Sequence, residues 1–122
     1  MADEVDLFVY GTLMNESVLY SLTGRSFPRY EAELFGFERF TPENGYPYIV
    51  PEPRARVRGI LLRQIDPVAL AALDCYEEEG RLYHRCRVAA TVDGRQVPCE
   101  TYVGNVEALK AYACDACQSG KR

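Results

Sequence analysis

Val5-Asp6-Leu7-Phe8-Val9-Tyr10 runs directly into Gly11-Thr12-Leu13, and the way to read this junction decides the architecture. Six residues rich in apolar and aromatic side chains predict a strand, and glycine stops it. Asn15 is placed to cap a short helix through Ser17-Val18-Leu19-Tyr20-Ser21-Leu22, which Gly24 ends. A strand that gives way to a loop ahead of a helix can aim several backbone N–H groups at one ligand, where a helix N-terminus also favours negative charge. Gly11 lets the backbone come close to a bound group, and Thr12 adds a hydroxyl. The same residues, Tyr10-Gly11-Thr12-Leu13, also fit a plain strand-to-helix turn, which local physics alone favours.

Further along, Glu33 to Phe40 and Arg56 to Arg63 read as strands. Between them Pro42, Gly45, Pro47, Pro51 and Pro53 mark an irregular loop with one short extended piece, Tyr48-Ile49-Val50. Asp66-Pro67 predicts a helix start, an N-cap followed by proline, for a helix over Val68 to Leu73 with room for one more turn. Tyr83 to Val92 and Val97 to Val103 flank Asp93-Gly94, a hairpin turn. A short terminal helix is expected over Val106 to Ala113, and Ser119-Gly120-Lys121-Arg122 is expected to fray. About six short strands with two or three short helices make one mixed α+β domain over residues 1–113, with 114–122 as a flexible tail.

At 122 residues the chain fits a single domain large enough to bury a core. Its formal net charge of −4 argues against a nucleic-acid partner, whose grip would come mainly from basic phosphate contacts. No apolar run approaches the length of a membrane span, and from the acidic start Met1-Ala2-Asp3-Glu4 no signal peptide is expected. A cytoplasmic protein with no membrane partner is expected. Cys75, Cys86, Cys99, Cys114 and Cys117 form an odd set without framework spacing, which fits reduced thiols. Cys114-Asp115-Ala116-Cys117 has CxxC form, but zinc would want four ligands and the only histidine, His84, is distant. Incidental or weakly metal-binding thiols are expected there, and no metal site or cofactor.

The acidic run Glu77-Glu78-Glu79 would ordinarily be a solvated helix end. Helical phase separates its members. Leu70, Leu73 and Glu77 fall at i, i+3 and i+7 on one stripe, while Glu79 points nearly opposite. A carboxylate drawn toward an apolar wall loses hydration, which raises its pKa and suits it to proton transfer near neutral pH. Tyr83 and Arg85 share a strand face, with His84 on the other. A phenol beside a guanidinium can orient a carboxylate, or can simply hold a strand to the rest of the fold. Arg54, Arg56 and Arg58 alternate along one face and read as solvated strand arginines. Tyr46-Pro47 and Tyr102 can line a pocket or fill the core.

Taken together, these segments resemble the γ-glutamylcyclotransferase-like superfamily, especially its AIG2-like branch. The pieces that carry the resemblance are Phe8-Val9-Tyr10-Gly11-Thr12-Leu13, Gly45-Tyr46-Pro47 with Ile49-Val50-Pro51, and Val57-Arg58-Gly59. They continue with Leu73-Asp74-Cys75-Tyr76-Glu77, Tyr83-His84-Arg85 and Thr101-Tyr102-Val103. The resemblance implies a small β-barrel-like core with helices around it, and a cavity where the amides of residues 10–13 hold the substrate. It implies that Glu77 is the acid/base residue, that Tyr102 reaches the pocket, and that Tyr83 and Arg85 stand at its wall. Two departures appear. Glu78 stands where many members have glycine, and the gap from Glu77 to Tyr83 is closer to the γ-glutamylamine cyclotransferase pattern.

The activity so implied is cofactor-independent cyclotransfer on a small γ-glutamyl amide, releasing 5-oxoproline and an amine or amino acid. The amides near Gly11, Thr12 and Leu13 would hold either the α-carboxylate or the developing oxyanion. Three other readings belong to different classes: a binding domain for a γ-glutamyl or amino-acid-like ligand, a scaffold in which the motifs only support the fold, and a thiol-redox protein using Cys114 and Cys117. No oligomeric state is implied.

Overall fold

A computed structural model describes residues 3–43 and 45–110. Five strands, β1 (Val5–Val9), β2 (Arg29–Phe40), β3 (Tyr48–Ile65), β4 (Tyr83–Val92) and β5 (Arg95–Gly104), close a barrel in the order β1-β3-β2-β4-β5. A 3-10 turn (Thr12–Met14) and helix α1 (Glu16–Thr23) follow β1, and helix α2 (Pro67–Glu77) joins β3 to β4. Neighbouring strands run antiparallel except β1 and β5, which pair in parallel through Leu7↔Glu100 and Phe8↔Thr101. The mixed α+β barrel is the architecture expected. Among the described residues no helix is long and apolar enough to cross a membrane.

β1 shows why its sequence is apolar without interruption. Phe8, like Leu34, Ile49, Val57 and Leu61, belongs to a core built from the strands together with Tyr10, inside the barrel. Leu7 and Val9 belong to a second core with Leu13, Leu19, Ala69 and Leu73, between barrel and helices. Alternate side chains of one strand thus enter two cores, and neither face meets water. Gly59 is where β3 lets β1 in: an added Cβ would collide with the Val9 carbonyl oxygen and lie 2.7 Å from Phe8 Cζ. The Val57-Arg58-Gly59 motif is therefore a close-approach device.

Local signals act as expected at several points. Asn15 accepts from the N–H groups of Ser17 at 2.8 Å and Val18 at 3.3 Å, and Gly24 ends α1 at φ 76°. Asp93 and Gly94, at φ 51° and 76°, make the two-residue turn between β4 and β5, as a primed hairpin turn requires.

Three expectations need correction. The extended piece at Tyr48-Ile49-Val50 and the strand at Arg56 to Arg63 are one strand, so the barrel has five strands and not six. Pro53 survives in it because the ladder skips there, and Pro51 sits at the edge of the skip. Phe35 pairs with Arg56 but Phe37 pairs with Pro51, so residues 52–55 bulge opposite Gly36, itself at φ 90°. Asp66 occupies the N-cap of α2 without capping it; its carboxylate instead meets Arg25 Nη1 at 2.8 Å. β2 begins at Arg29, earlier than its hydrophobic pattern suggests, because main-chain pairing with β3 holds Tyr30 and Glu31 in the sheet. Residues 106–110 are helical, in line with the expected terminal helix. Its remainder, the 114–122 tail and the Cys114/Cys117 pair lie outside the described residues.

Candidate active site

α2 extends to Glu77, so the helical phase that singled out this residue holds to its last turn. Glu77 is half-buried, while Glu79 is exposed and accepts the Arg85 backbone N–H at 3.2 Å. Glu78 closes the helix in the left-handed region at φ 53°, a cap that glycine fills more readily. The departure from the resembling pattern at Glu78 thus falls on a backbone that favours glycine.

Glu77 lines a narrow cleft. Tyr10, Gly11, Thr12 and Leu13 form one wall, and Tyr46, Tyr83 and Tyr102 line it as well. Of the residues selected from sequence, only Arg85 is not among the lining residues. Its Nη1 lies 3.3 and 3.2 Å from the two oxygens of Asp74. Its Nε sits 2.9 Å from Glu100 Oε1, at an angle too oblique for a hydrogen bond. Arg85 therefore holds β4 to α2 and β5, which is the second of the two roles the sequence left open for it. Arg56 and Arg58 face Glu33 at 3.6 Å on the barrel surface.

The turn at residues 11–13 has donors to offer. Met14 N–H and Asn15 N–H close it onto the Gly11 and Thr12 carbonyls. The N–H groups that open such a turn have no carbonyl one turn earlier to receive them. Leu13 is buried in the core with Leu19, Ala69 and Leu73 and is also among the residues that line the cleft. Pro47 packs on Gly11, with its Cγ 3.4 Å from where a Cβ would stand. The Tyr83 hydroxyl donates to the Pro47 carbonyl at 2.8 Å and so fixes the 46–47 segment against β4.

The phenols form the chemistry of the floor. Tyr10 donates to the Tyr102 carbonyl at 2.5 Å, and Tyr102 donates to Asp74 Oδ1 at 2.6 Å. Burial pushes Tyr10 well above the ordinary tyrosine pKa, with Tyr83 and then Glu77 adding to the rise. Burial likewise raises Tyr102 far above that range, reinforced by the hydrogen bond to Asp74 and its charge, with Glu77 adding to the rise. Both phenols therefore keep their protons. Two neighbours were missed in the sequence. Tyr76 shares a hydrogen bond of 3.0 Å with the Thr12 hydroxyl across the cleft, and Asp74 anchors Tyr102 from beneath. Asp74 stands three residues before Glu77, a spacing that puts it on an adjacent helical row and was the available signal.

Residues 7–119 match the family described as Gamma-glutamyl cyclotransferase, AIG2-like. The chain belongs to this family. AIG2-like protein C of Arabidopsis thaliana is 35% identical over 99 residues, which are 80% of this chain and 58% of that protein. The chain thus spans little more than half the length of this curated relative. A solution structure of an Arabidopsis thaliana protein superposes with a TM-score of 0.77 at 28% identity, covering 87% of this chain and 72% of the other. A solved structure named Gamma-glutamyl cyclotransferase superposes with a TM-score of 0.70, over 84% of this chain and 67% of that one. At 17% identity this last likeness is one of fold.

Proposed function

We propose that the chain is a cofactor-independent γ-glutamyl cyclotransferase, with Glu77 as its acid/base residue. The observation that carries the reading is one cleft that gathers Glu77, the donors of residues 11–13 and a floor of protonated tyrosines, in a chain of the cyclotransferase family. The substrate's own α-nitrogen attacks its γ-carbonyl carbon, closing a five-membered ring. The C–N bond to the departing nitrogen then breaks, giving 5-oxoproline and the amine in its ammonium form. Two protons leave the α-nitrogen and two reach the departing nitrogen, and a single carboxylate between them can carry each in turn. Proton transfer by such a group contributes on the order of 10²–10⁴-fold. Folding the flexible glutamyl chain into a ring-ready shape contributes more, since aligned intramolecular reactions reach effective molarities of roughly 10⁵–10⁸ M.

Release of 5-oxoproline from a panel of γ-glutamyl amino acids and γ-glutamylamines tests the reading. Wild type is expected to release it, and Glu77→Gln to fold normally and lose about 10²–10⁴-fold in kcat. Glu79→Gln should change little, because its amide oxygen can still accept the Arg85 N–H. Equal activity of wild type and Glu77→Gln would refute the role given to Glu77. Silence of folded wild type, with ligand-induced stabilisation retained, would give a binding domain instead.

A further inference from the structure

Tyr102 has a single hydroxyl proton, and that proton is committed. It points at Asp74 Oδ1, 2.6 Å away, beneath the cleft. Asp74 is itself held in place. Its two oxygens face Arg85 Nη1, and Arg85 stands directly across the β4–β5 ladder from Tyr102. The preceding residue, Leu73, is fully buried and pins this turn of α2 to the core. A carboxylate facing an arginine accepts and does not donate, so the direction of the bond is fixed. A phenol whose proton is spent offers only its lone pairs elsewhere. Tyr102 lines the cleft and is almost wholly buried, so a lone pair that its hydroxyl turns toward the cleft is open to a ligand that brings its own donor. Glu77 lines the same cleft and adds negative charge. Residues 11–13, by contrast, present N–H donors suited to an anion.

We propose that Asp74 is a positioning residue: by taking the Tyr102 proton it makes Tyr102 an acceptor in the cleft, and this pole seats the α-ammonium of the ligand. The identity of the ligand rests on the cyclotransfer reading. The consequence is a polarised cleft, with the α-ammonium at Tyr102 and Glu77 and the α-carboxylate at the amides of residues 11–13. Asp74 itself touches no substrate and is not among the lining residues.

The test compares two probes, N5-methyl-L-glutamine and the same molecule lacking only its α-amine. Their affinities are measured by calorimetry on the full chain in a Glu77→Gln background, where turnover should not intrude. This background is expected to favour the amine-bearing probe at least tenfold. Adding Tyr102→Phe or Asp74→Ala should each reduce the preference about tenfold, the size expected for one hydrogen bond to a charged group. Asp74→Asn, whose carbonyl still accepts the Tyr102 proton, should keep most of it; a merely structural role would not separate Asn from Ala in this ratio. An unchanged preference in folded Asp74→Ala overturns the proposal. Should Asp74→Ala not fold, an unchanged preference in Tyr102→Phe overturns it equally. So does equal binding of the two probes in the background, or binding of neither. If the preference behaves as stated but wild type releases no 5-oxoproline, the proposal stands and the cyclotransfer reading falls.

Discussion

Replacing Gly59 by alanine should damage this protein more than any ordinary surface change. The added methyl would overlap the Val9 carbonyl oxygen and sit 2.7 and 3.1 Å from Phe8 Cζ and Cε1. Phe8 is fully buried inside the barrel, so its ring has nowhere to retreat. Val9 pairs with Ile60 and Phe8 with Leu61, so β1 can yield only by leaving the ladder. Overpacking of a tight core costs about 1–3 kcal/mol, and disturbing one ladder hydrogen bond adds about 1 kcal/mol. The expected loss is about 3 kcal/mol, or roughly 10–15 °C in Tm for a domain of this size. Urea and thermal unfolding at fixed pH measure it, with Gly11→Ala as the comparison. At Gly11 an added Cβ meets only Pro47 Cγ, at an ordinary contact distance of 3.4 Å, so a smaller loss is expected there. A loss at Gly59 below about 1 kcal/mol, or no larger than that at Gly11, would refute the close-approach account. Because residues 10–13 follow directly from β1, cleft binding should weaken in Gly59→Ala even where the protein remains folded.

Glu78→Gly should stabilise the protein slightly. Relieving a left-handed non-glycine residue gains about 1 kcal/mol, more than the half-exposed ion pair with Arg81 contributes; a clear fall in the urea midpoint would show otherwise. Burial raises the Cys99 thiol to about 11. Exposed Cys75 should therefore be alkylated well before Cys99 in the native protein at pH 8, and equal rates would contradict its placement. The same group makes stability pH-dependent. Its folded pKa exceeds the ordinary value of 9.0, so its contribution is complete below about pH 9 and is lost as pH rises toward 11. Tyr10 and Tyr102, raised above 10.0, extend the fall to higher pH. Melting temperatures between pH 8 and 11 should decline, and Cys99→Ala should flatten the first part of that decline.

Much of this molecule is legible in its sequence because the deciding physics is local. The strand at Val5, the Asn15 cap, the Gly24 stop and the Asp93-Gly94 turn each depend on a few neighbouring residues, and each appears as read. Helical phase puts Glu77 in line with Leu70 and Leu73, since the angle between residues on a helix is fixed by chain geometry, whereas Glu79 lies past the left-handed Glu78 and owes its outward place to that cap. Other features were decided only when distant segments met. Pro51 and Pro53 signal a loop, yet the strand runs through them, because Pro53 falls in the bulge opposite Gly36 while Pro51 sits at its edge, paired with Phe37. Arg85 is a plausible ligand group by type, but Asp74 and Glu100 reach it first, from α2 and β5. The direction of the Tyr102 hydroxyl depends on that same meeting of helix and strands. Sequence determines which groups are available and which face they take; tertiary contact determines which of their charges and protons remain for a ligand, because partners far apart in the chain compete for them at short range.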